Sequence, residues 1–365
     1  MIKKEGVGTF RVAATYIGTV VGAGFASGQE VLQFFSRFGA WGAVGLVLVT
    51  VLFIVFGSII MNYGKALNAR SHLEIIKFSG GRILGSVVDL VITFFLFGGL
   101  STMIAGTGAL FQEQFHLPGL LGNTLMAVFA AVTVLTGLRG VINSISFVVP
   151  FLLAAVVGVS VFSLAKTPPD IMAAPAVPPN AMLSNWFMAA ILYVSYNTLI
   201  SIAVLSPLGA QARHKKEIRN GAVLGGLGLG AAALMIYLAI SGNIAGVSSA
   251  EVPMLSLAGT LSPLAQFVYA LVLAAEIYTT AVGSLYGFAA RFAKIQKTSG
   301  NGRFAVIAAT LAAFLASQLG FSNLVKYLYP MVGYAGVLLL FLLLYSRLKN
   351  KPQIHYSPKQ EKAPK

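Results

Sequence analysis

The chain has 365 residues, 57% of them hydrophobic and only 10% charged, where soluble domains carry about 25%. Its 25 basic and 10 acidic side chains are too few to coat a chain of this length in water, so most of its surface must face lipid and both a soluble globular protein and a disordered one are excluded. The net charge of +15 would point to nucleic acid in a soluble chain, but in a membrane chain it reports which ends of the helices carry the bases, and no nucleic-acid partner is expected. With no cysteine there is no disulfide, no thiolate nucleophile and no cysteine metal ligand.

An apolar stretch of about 20 residues crosses a bilayer as a helix. Ten such stretches follow in chain order, at 9–37, 41–67, 83–111, 121–138 and 141–165, then 183–208, 219–240, 263–292, 303–318 and 322–347. The first continues as a long Gly-rich span with no small-residue cleavage site, so it reads as a retained helix rather than a signal peptide. Between the fifth and sixth lies a linker at 166–182 holding Pro168, Pro169, Pro175, Pro178 and Pro179, an extended segment with no core of its own. The organisation expected is therefore a first five-helix unit at 1–165, the linker, a second five-helix unit at 183–347, and a basic tail at 348–365. Of the 25 Lys and Arg residues, only Arg37, Lys166 and Lys326 fall on one side of this ten-span arrangement. The positive-inside rule then places both termini in the cytoplasm, and an added or missing span would scramble the alternation.

The two halves match in layout. Helix starts in the second half follow their counterparts by 174 to 182 residues, with long third and eighth spans and short fourth and ninth spans. Because five is odd, a second copy enters the membrane from the opposite side, and the halves are expected to be inverted repeats related by a pseudo-two-fold axis in the membrane plane. Ten evenly spaced helices without such a relation are the alternative, since residue identity between the halves is not apparent.

The first span contains Gly18, Gly22, Gly24 and Gly28 in the run from Gly18 to Glu30. Each glycine costs roughly 0.8 to 1 kcal/mol against alanine in a helix interior, so the cluster favours unwinding at mid-membrane depth. Unwound backbone there is tolerated where it lines a cavity or holds a ligand. Close helix packing through Gly18/Gly22 and Gly24/Gly28 is the competing reading. The matching position of the sixth span is Tyr193-Val194-Ser195-Tyr196-Asn197-Thr198, where side-chain acceptors compete for the backbone, so a break is expected in helix six as well, against satisfied interhelical hydrogen bonding.

Three acids lie within spans, Glu30, Asp89 and Glu276, with no base at comparable depth. An ionised acid at mid-membrane costs about 2.5 to 3.5 kcal/mol on insertion scales, so each is protonated, solvated or paired with a cation. Asp89 lies near a helix end and is expected to pair with a base such as Arg82 or Arg139. In helix eight, Thr280 and Ser284 follow Glu276 at i+4 and i+8, with Thr279 on an adjacent face. These are hard-oxygen ligands suited to a small alkali cation, or ordinary helix-contact residues. Aromatic candidates for gating are Phe94, Phe95, Phe97, Tyr193, Tyr196, Tyr327, Tyr329 and Tyr334, with packing or interface roles as the alternative. The four histidines, His72, His116, His214 and His355, form no metal motif, and no GxxxxGK[ST] sequence is present. Neither an enzyme nor a nucleotide-driven pump is expected, and no cofactor beyond a bound Na+.

Ten spans in two fives, with Gly22-Ala23-Gly24-Phe25-Ala26-Ser27-Gly28-Gln29-Glu30 in the first, resemble the bacterial YkvI-like amino acid permeases, a family within the LeuT-fold (amino acid-polyamine-organocation) superfamily. The resemblance runs to about Arg347 and implies a bundle of helices one, two, six and seven rocking against a scaffold of three, four, eight and nine. It further implies a substrate held between the broken helices one and six, by Gly22, Ala23, Gly24, Phe25, Ser27, Gly28, Gln29, Tyr193, Ser195, Tyr196 and Asn197, and a sodium site built from the carbonyls of Val20, Val21 and Ala23 with Thr279 and Thr280. Glu30 and Glu276 depart from the general ligands of that fold, so proton coupling or a cationic substrate competes with sodium. The expectation is an ion-gradient-driven transporter of an amino acid or related small amine, with a ligand-binding sensor that does not accumulate its ligand as the alternative.

Overall fold

The computed structural model describes residues 6–136, 139–172, 180–293 and 300–349. Pro175, Pro178 and Pro179 of the linker, and the basic tail from 350 onward, lie outside the described residues. Within them every regular element is helical, apart from one isolated parallel bridge between Val7 and Ala212.

The first span is discontinuous: α1 (Thr9–Val20), a single turn α2 (Ala23–Ala26), α3 (Gln29–Phe34) and a 3-10 turn over Ser36–Phe38. Then follow α4 (Ala40–Leu67), α5 (His72–Phe115), α6 (Gly119–Thr136), α7 (Arg139–Lys166), α8 (Trp186–Gln211) and α9 (Lys215–Ser241). The chain continues through α10 (Ile244–Val247), α11 (Pro253–Leu261), α12 (Pro263–Ala289), α13 (Gly300–Ser317), α14 (Phe321–Asn323), a π-helical turn over Leu324–Leu328 and α15 (Tyr329–Lys349). Eight of these segments are long and apolar enough to cross a membrane: α4, α5, α6, α8, α9, α12, α13 and the continuous run Phe321–Lys349. The other two expected spans are α7, which contains Pro150, and the broken first one. Large apolar side chains such as Val47, Leu90, Leu271 and Leu311 are exposed on these helices, as a lipid-facing surface requires.

Local chemistry sets the helix ends. Asn185 caps α8 by accepting from the amide of Met188 at 2.8 Å, and Ser262 caps α12 by accepting from that of Ala265 at 3.1 Å, with Pro263 in the first turn. Helix α5 begins earlier than the apolar pattern, at a Ser71/Glu74 capping box, and is bent at Gly81, whose φ is +70°; the residues before the bend form an amphipathic lead-in that a hydrophobicity window does not detect. The two short helices between α9 and α12 were likewise hidden by their length.

The break expected in helix six is not there. Helix α8 runs unbroken from Trp186 to Gln211. The side chains expected to disrupt it bond in ways that leave its ladder intact: Asn197 Nδ2 donates to Tyr193 O at 2.9 Å, Thr198 Oγ1 to Val194 O at 2.7 Å, and Ser195 Oγ crosses to Gly333 O of α15 at 2.7 Å. Hydrogen bonds back to i−4 carbonyls are compatible with a continuous helix, and α8 has no glycine at this depth to lower the cost of unwinding.

Packing separates the helices into two groups. Helices α1, α4, α8 and α9 pack on one another, and α5, α6, α12 and α13 form the second set, which are the bundle and scaffold implied by the resemblance. Exchanging each helix of the first half for its counterpart in the second carries most contacts onto other contacts: α1 with α9 becomes α8 with α4, α5 with α6 becomes α12 with α13, and α7 with α12 becomes α15 with α5. This is the contact pattern of a two-fold repeat, and with five spans per half the repeat is inverted.

At the base-rich end the strand-like residue Val7 ties the bundle together. Its amide donates to Gln211 O at 2.9 Å and its carbonyl accepts from Arg213 N at 3.2 Å. Lys65, in the last turn of α4, donates through Nζ to the carbonyls of Ala212 at 2.6 Å and Arg213 at 3.2 Å.

Candidate functional site

Two interruptions in the first span create the site. At the first, Val21 and Gly22 are extended, and a Cβ built on Gly22 meets nothing within 4 Å, so this backbone borders open space. The carbonyls of Val20 and Val21 accept no backbone hydrogen bond among the described residues, whereas that of Ala23 is taken by the amide of Ser27 at 2.8 Å. At the second, Gly28 has φ +81°, a left-handed conformation, and a Cβ there would stand 2.8 Å from Cγ of Met254; both constraints require glycine. Ser27 is committed to its own turn, donating to Gly24 O at 2.8 Å and accepting from Gln29 N at 3.1 Å.

The second interruption turns Glu30 inward. Its side chain folds back over α2, where a Cβ on Gly24 would collide with its Oε1, and it is 5% exposed. Its Oε2 accepts from the hydroxyl of Tyr196 at 2.5 Å, and the buried hydroxyl of Tyr193 stands beside the same carboxylate. Around this carboxylate lies an aromatic cluster: Tyr196 is 5.7 Å from Phe34, 5.4 Å from Tyr193, 6.0 Å from Phe95 and 5.0 Å from Tyr329, and Tyr193 is 5.0 Å from Phe35, centroid to centroid. Of the aromatic candidates, Phe95, Tyr193, Tyr196 and Tyr329 thus converge, while Phe94, Tyr327 and Tyr334 are exposed and Phe97 packs on Phe288. Phe34 and Phe35 join this cluster too, following Glu30 by one helical turn, a spacing that ordinary core residues share. Tyr329 is presented by the helix that follows the π-helical turn.

Not every predicted residue faces this centre. Tyr193 and Tyr196 do, and Asn197 lies beside the Tyr193 side chain while its Nδ2 bonds Tyr193 O, but Ser195 turns to α15. Gln29 points to the far end, donating to Ser322 Oγ and to Ala250 O at 3.5 Å, with Oε1 unpaired. There it joins a network that sequence gave no sign of: Glu113 accepts from the amides of Glu251 at 2.6 Å and Val252, and Glu251 accepts from Ser322 N at 2.7 Å. Ala23, Gly24 and Phe25 form the buried turn between the two breaks.

The second buried acid is on α12. Glu276 is 4% exposed; Oε1 accepts weakly from Thr280 Oγ1 at 3.4 Å, and Oε2 is buried without a partner. Seven residues before it on the same face, Tyr269 donates its hydroxyl to Ala26 O of helix one at 2.5 Å. Since seven residues are two helical turns, the face carrying Tyr269, Glu276 and Thr280 is the one turned toward helix one, and Glu276 sits about 10 Å nearer the base-rich end than Tyr269, on the side where Val20 and Val21 are unwound. Thr279 donates back to Glu276 O at 3.0 Å, which leaves its oxygen free to accept, and Ser284 Oγ faces Gly99 of α5. The third acid, Asp89, pairs with Arg291 Nη1 at 2.5 Å and His72 Nε2 at 3.2 Å. An ion pair was expected there, but with Arg82 or Arg139; the true partner comes from the end of α12, which is distant in sequence.

No protein-family model matches the chain. It is 30% identical over 331 residues to the uncharacterized membrane protein YkvI of Bacillus subtilis (strain 168), covering 90% of this chain and 92% of that one. The uncharacterized protein YyaD of the same organism is 28% identical over 336 residues, covering 92% and 96%. Among solved structures it is similar to MhsT in complex with L-phenylalanine, with TM-score 0.61 and 16% identity over 90% of this chain and 88% of that chain. It is also similar to the inward-facing conformation of Mhp1, with TM-score 0.58 and 16% identity over 95% and 78%. A Na+-coupled sialic acid symporter in a substrate-bound outward-open state matches with TM-score 0.61 and 12% identity over 94% and 82%. These likenesses establish the LeuT-like fold of a multi-pass membrane protein, and the identity extending over nearly the full length of both sequences shows that this chain belongs to the family of YkvI.

Proposed function

We propose that the chain is a secondary transporter, which moves an amino acid or related small amine by alternating access, driven by a Na+ or H+ gradient across a bacterial plasma membrane with both termini in the cytoplasm. The observation that carries this reading is the buried Glu30 carboxylate, held at the break of helix one by Tyr196 and ringed by aromatic faces, with no base beside it among the described residues. A carboxylate combined with ring faces is a receptor for an ammonium group. The open backbone at Gly22 provides space and polar groups for the remainder of a small solute.

In this reading Glu276 and Thr280, on the face of α12 turned to helix one, supply oxygen ligands for the driving cation together with the free carbonyls of Val20 and Val21. The unpaired Oε2 of Glu276 is stabilised when a proton or metal cation arrives. Ion binding between α12 of the scaffold and helix one of the bundle favours one orientation of the two groups, substrate completes the site, and rotation of the bundle exposes both to the other side. The likeness of the fold to a Na+-coupled symporter and to a protein crystallised with L-phenylalanine supports this reading.

Uptake of labelled amino acids and amines into proteoliposomes, with an imposed Na+ gradient, an imposed H+ gradient or neither, tests it. Gradient-dependent accumulation is expected. Saturable binding with no accumulation under any gradient would replace the transporter with a ligand-binding sensor.

A further inference from the structure

One buried base has no part in the site described so far. Arg37, in the 3-10 turn that ends the first span, is 6% exposed and is the only buried Lys or Arg among the described residues. Its Nη2 donates to Gln33 Oε1 at 2.9 Å. Its Nε and Nη1 are buried with no partner, and no described carboxylate lies in ion-pair range. The other two bases at this end differ: Lys166 is exposed and donates to the carbonyls of Thr260 and Leu261, and Lys326 lies over the Tyr327 ring.

A guanidinium is always charged, so it cannot escape burial by losing its proton. Withdrawn from water and left with a neutral amide as its bonded partner, it is strongly disfavoured until an anion completes it. The hydrogen-bonding direction of Gln33 adds to this, since its Oε1 orients the guanidinium through Nη2 and leaves Nε on one edge of the head and Nη1 on the other open to a ligand. Gln29 and Gln33 precede Arg37 by eight and four residues, so a polar stripe leads from the break in helix one to Arg37. We infer that Arg37 is a binding site for a small monovalent anion at the outer end of this stripe, either the carboxylate of a solute approaching the central site or free chloride.

The chain reports on this site by itself. Its two tryptophans, Trp41 and Trp186, stack with centroids 5.6 Å apart at 12°, and Trp41 lies four residues after Arg37. The experiment is a titration of the purified full-length protein in detergent with sodium chloride or sodium acetate, balanced at constant ionic strength by the sodium salt of a bulky sulfonate, reading intrinsic fluorescence. A saturable change is expected, with affinity reduced about ten-fold in Arg37→Gln. Saturation by acetate alone assigns the site to the solute's carboxylate; saturation by chloride assigns it to the halide. Arg37→Lys, which keeps the charge but loses the planar head, is expected to shift the curve by about three-fold and serves where the glutamine variant does not fold. A wild-type signal that never saturates with either anion overturns the site, as does a curve unmoved in both variants. The readout needs no transport, so its failure is separate from failure of the transporter reading.

Discussion

Glu30 and Glu276 are both buried acids, and the proposed function gives them different tasks because their surroundings differ. Glu30 has a hydroxyl donor and a ring of aromatic faces, the surroundings of an organic cation, whereas Glu276 has one weak hydroxyl contact and a bare oxygen. Neutralising Glu30 as Glu30→Gln removes a charge-assisted contact worth about 1.5–3 kcal/mol, so substrate affinity is expected to fall roughly ten- to one-hundred-fold. Tyr196→Phe removes one neutral donor and is expected to weaken binding by about five-fold. Substrate binding to the two variants, measured by scintillation proximity at saturating Na+ and at low pH, checks both values; unchanged affinity in Glu30→Gln would remove this carboxylate from the site. For Glu276→Gln the expectation is the reverse pattern: a rise of about ten-fold or more in the cation concentration needed for half-maximal uptake, with substrate affinity restored once the cation saturates. A shift in substrate affinity that no cation concentration restores would place Glu276 in the substrate site instead.

At the level of elements, the sequence made helix one legible because glycine acts directly on backbone energetics, and the same breaks appear at Gly22 and Gly28. A single added methyl tests this. Gly28→Ala is expected to cost about 1–2 kcal/mol for the left-handed backbone, plus displacement of the Met254 side chain, and to lower the apparent unfolding midpoint in detergent. An unaltered midpoint would show that the turn relaxes to a right-handed form. Helix six was misread for an equally physical reason: Ser195, Asn197 and Thr198 have hydrogen-bonding groups whose destination depends on what packs beside them, and that is settled only when α15 is in place. The same dependence hid the Asp89 to Arg291 pair and the Glu113 to Glu251 network, each joining residues more than a hundred positions apart. Composition and spacing located the spans, the break and the two buried acids; which hydroxyls and rings face those acids was decided by tertiary packing, as Ser284 turning to Gly99 illustrates.

In the molecule as a whole, the strongest packing lies inside each of two groups of four helices, and the contacts between the groups are thinner. Most of the groups proposed to bind solute or ion lie along this boundary. Glu30 and Tyr196 come from the bundle, Phe95 and Glu276 from the scaffold, and Tyr269 reaches across to Ala26. A thinly packed boundary lined by the groups proposed to bind is suited to two alternative packings of rigid parts.

The backbone strap at Val7 bears on where the proposed transporter would hinge. In the proposed transport cycle, a first helix fastened to the α8–α9 loop, with Lys65 of α4 holding the same loop, is expected not to peel away alone but to swing with the other three bundle helices as a single lever, with the fulcrum outside the lever itself. Paired residues on a β-bridge stand close enough for a disulfide, and the chain has no cysteine of its own to interfere. Oxidising a Val7→Cys, Ala212→Cys double variant is therefore expected to leave the uptake rate within about two-fold of its reduced value. Arrest on oxidation, reversed by reductant, would instead show that the inner door is α1 acting by itself.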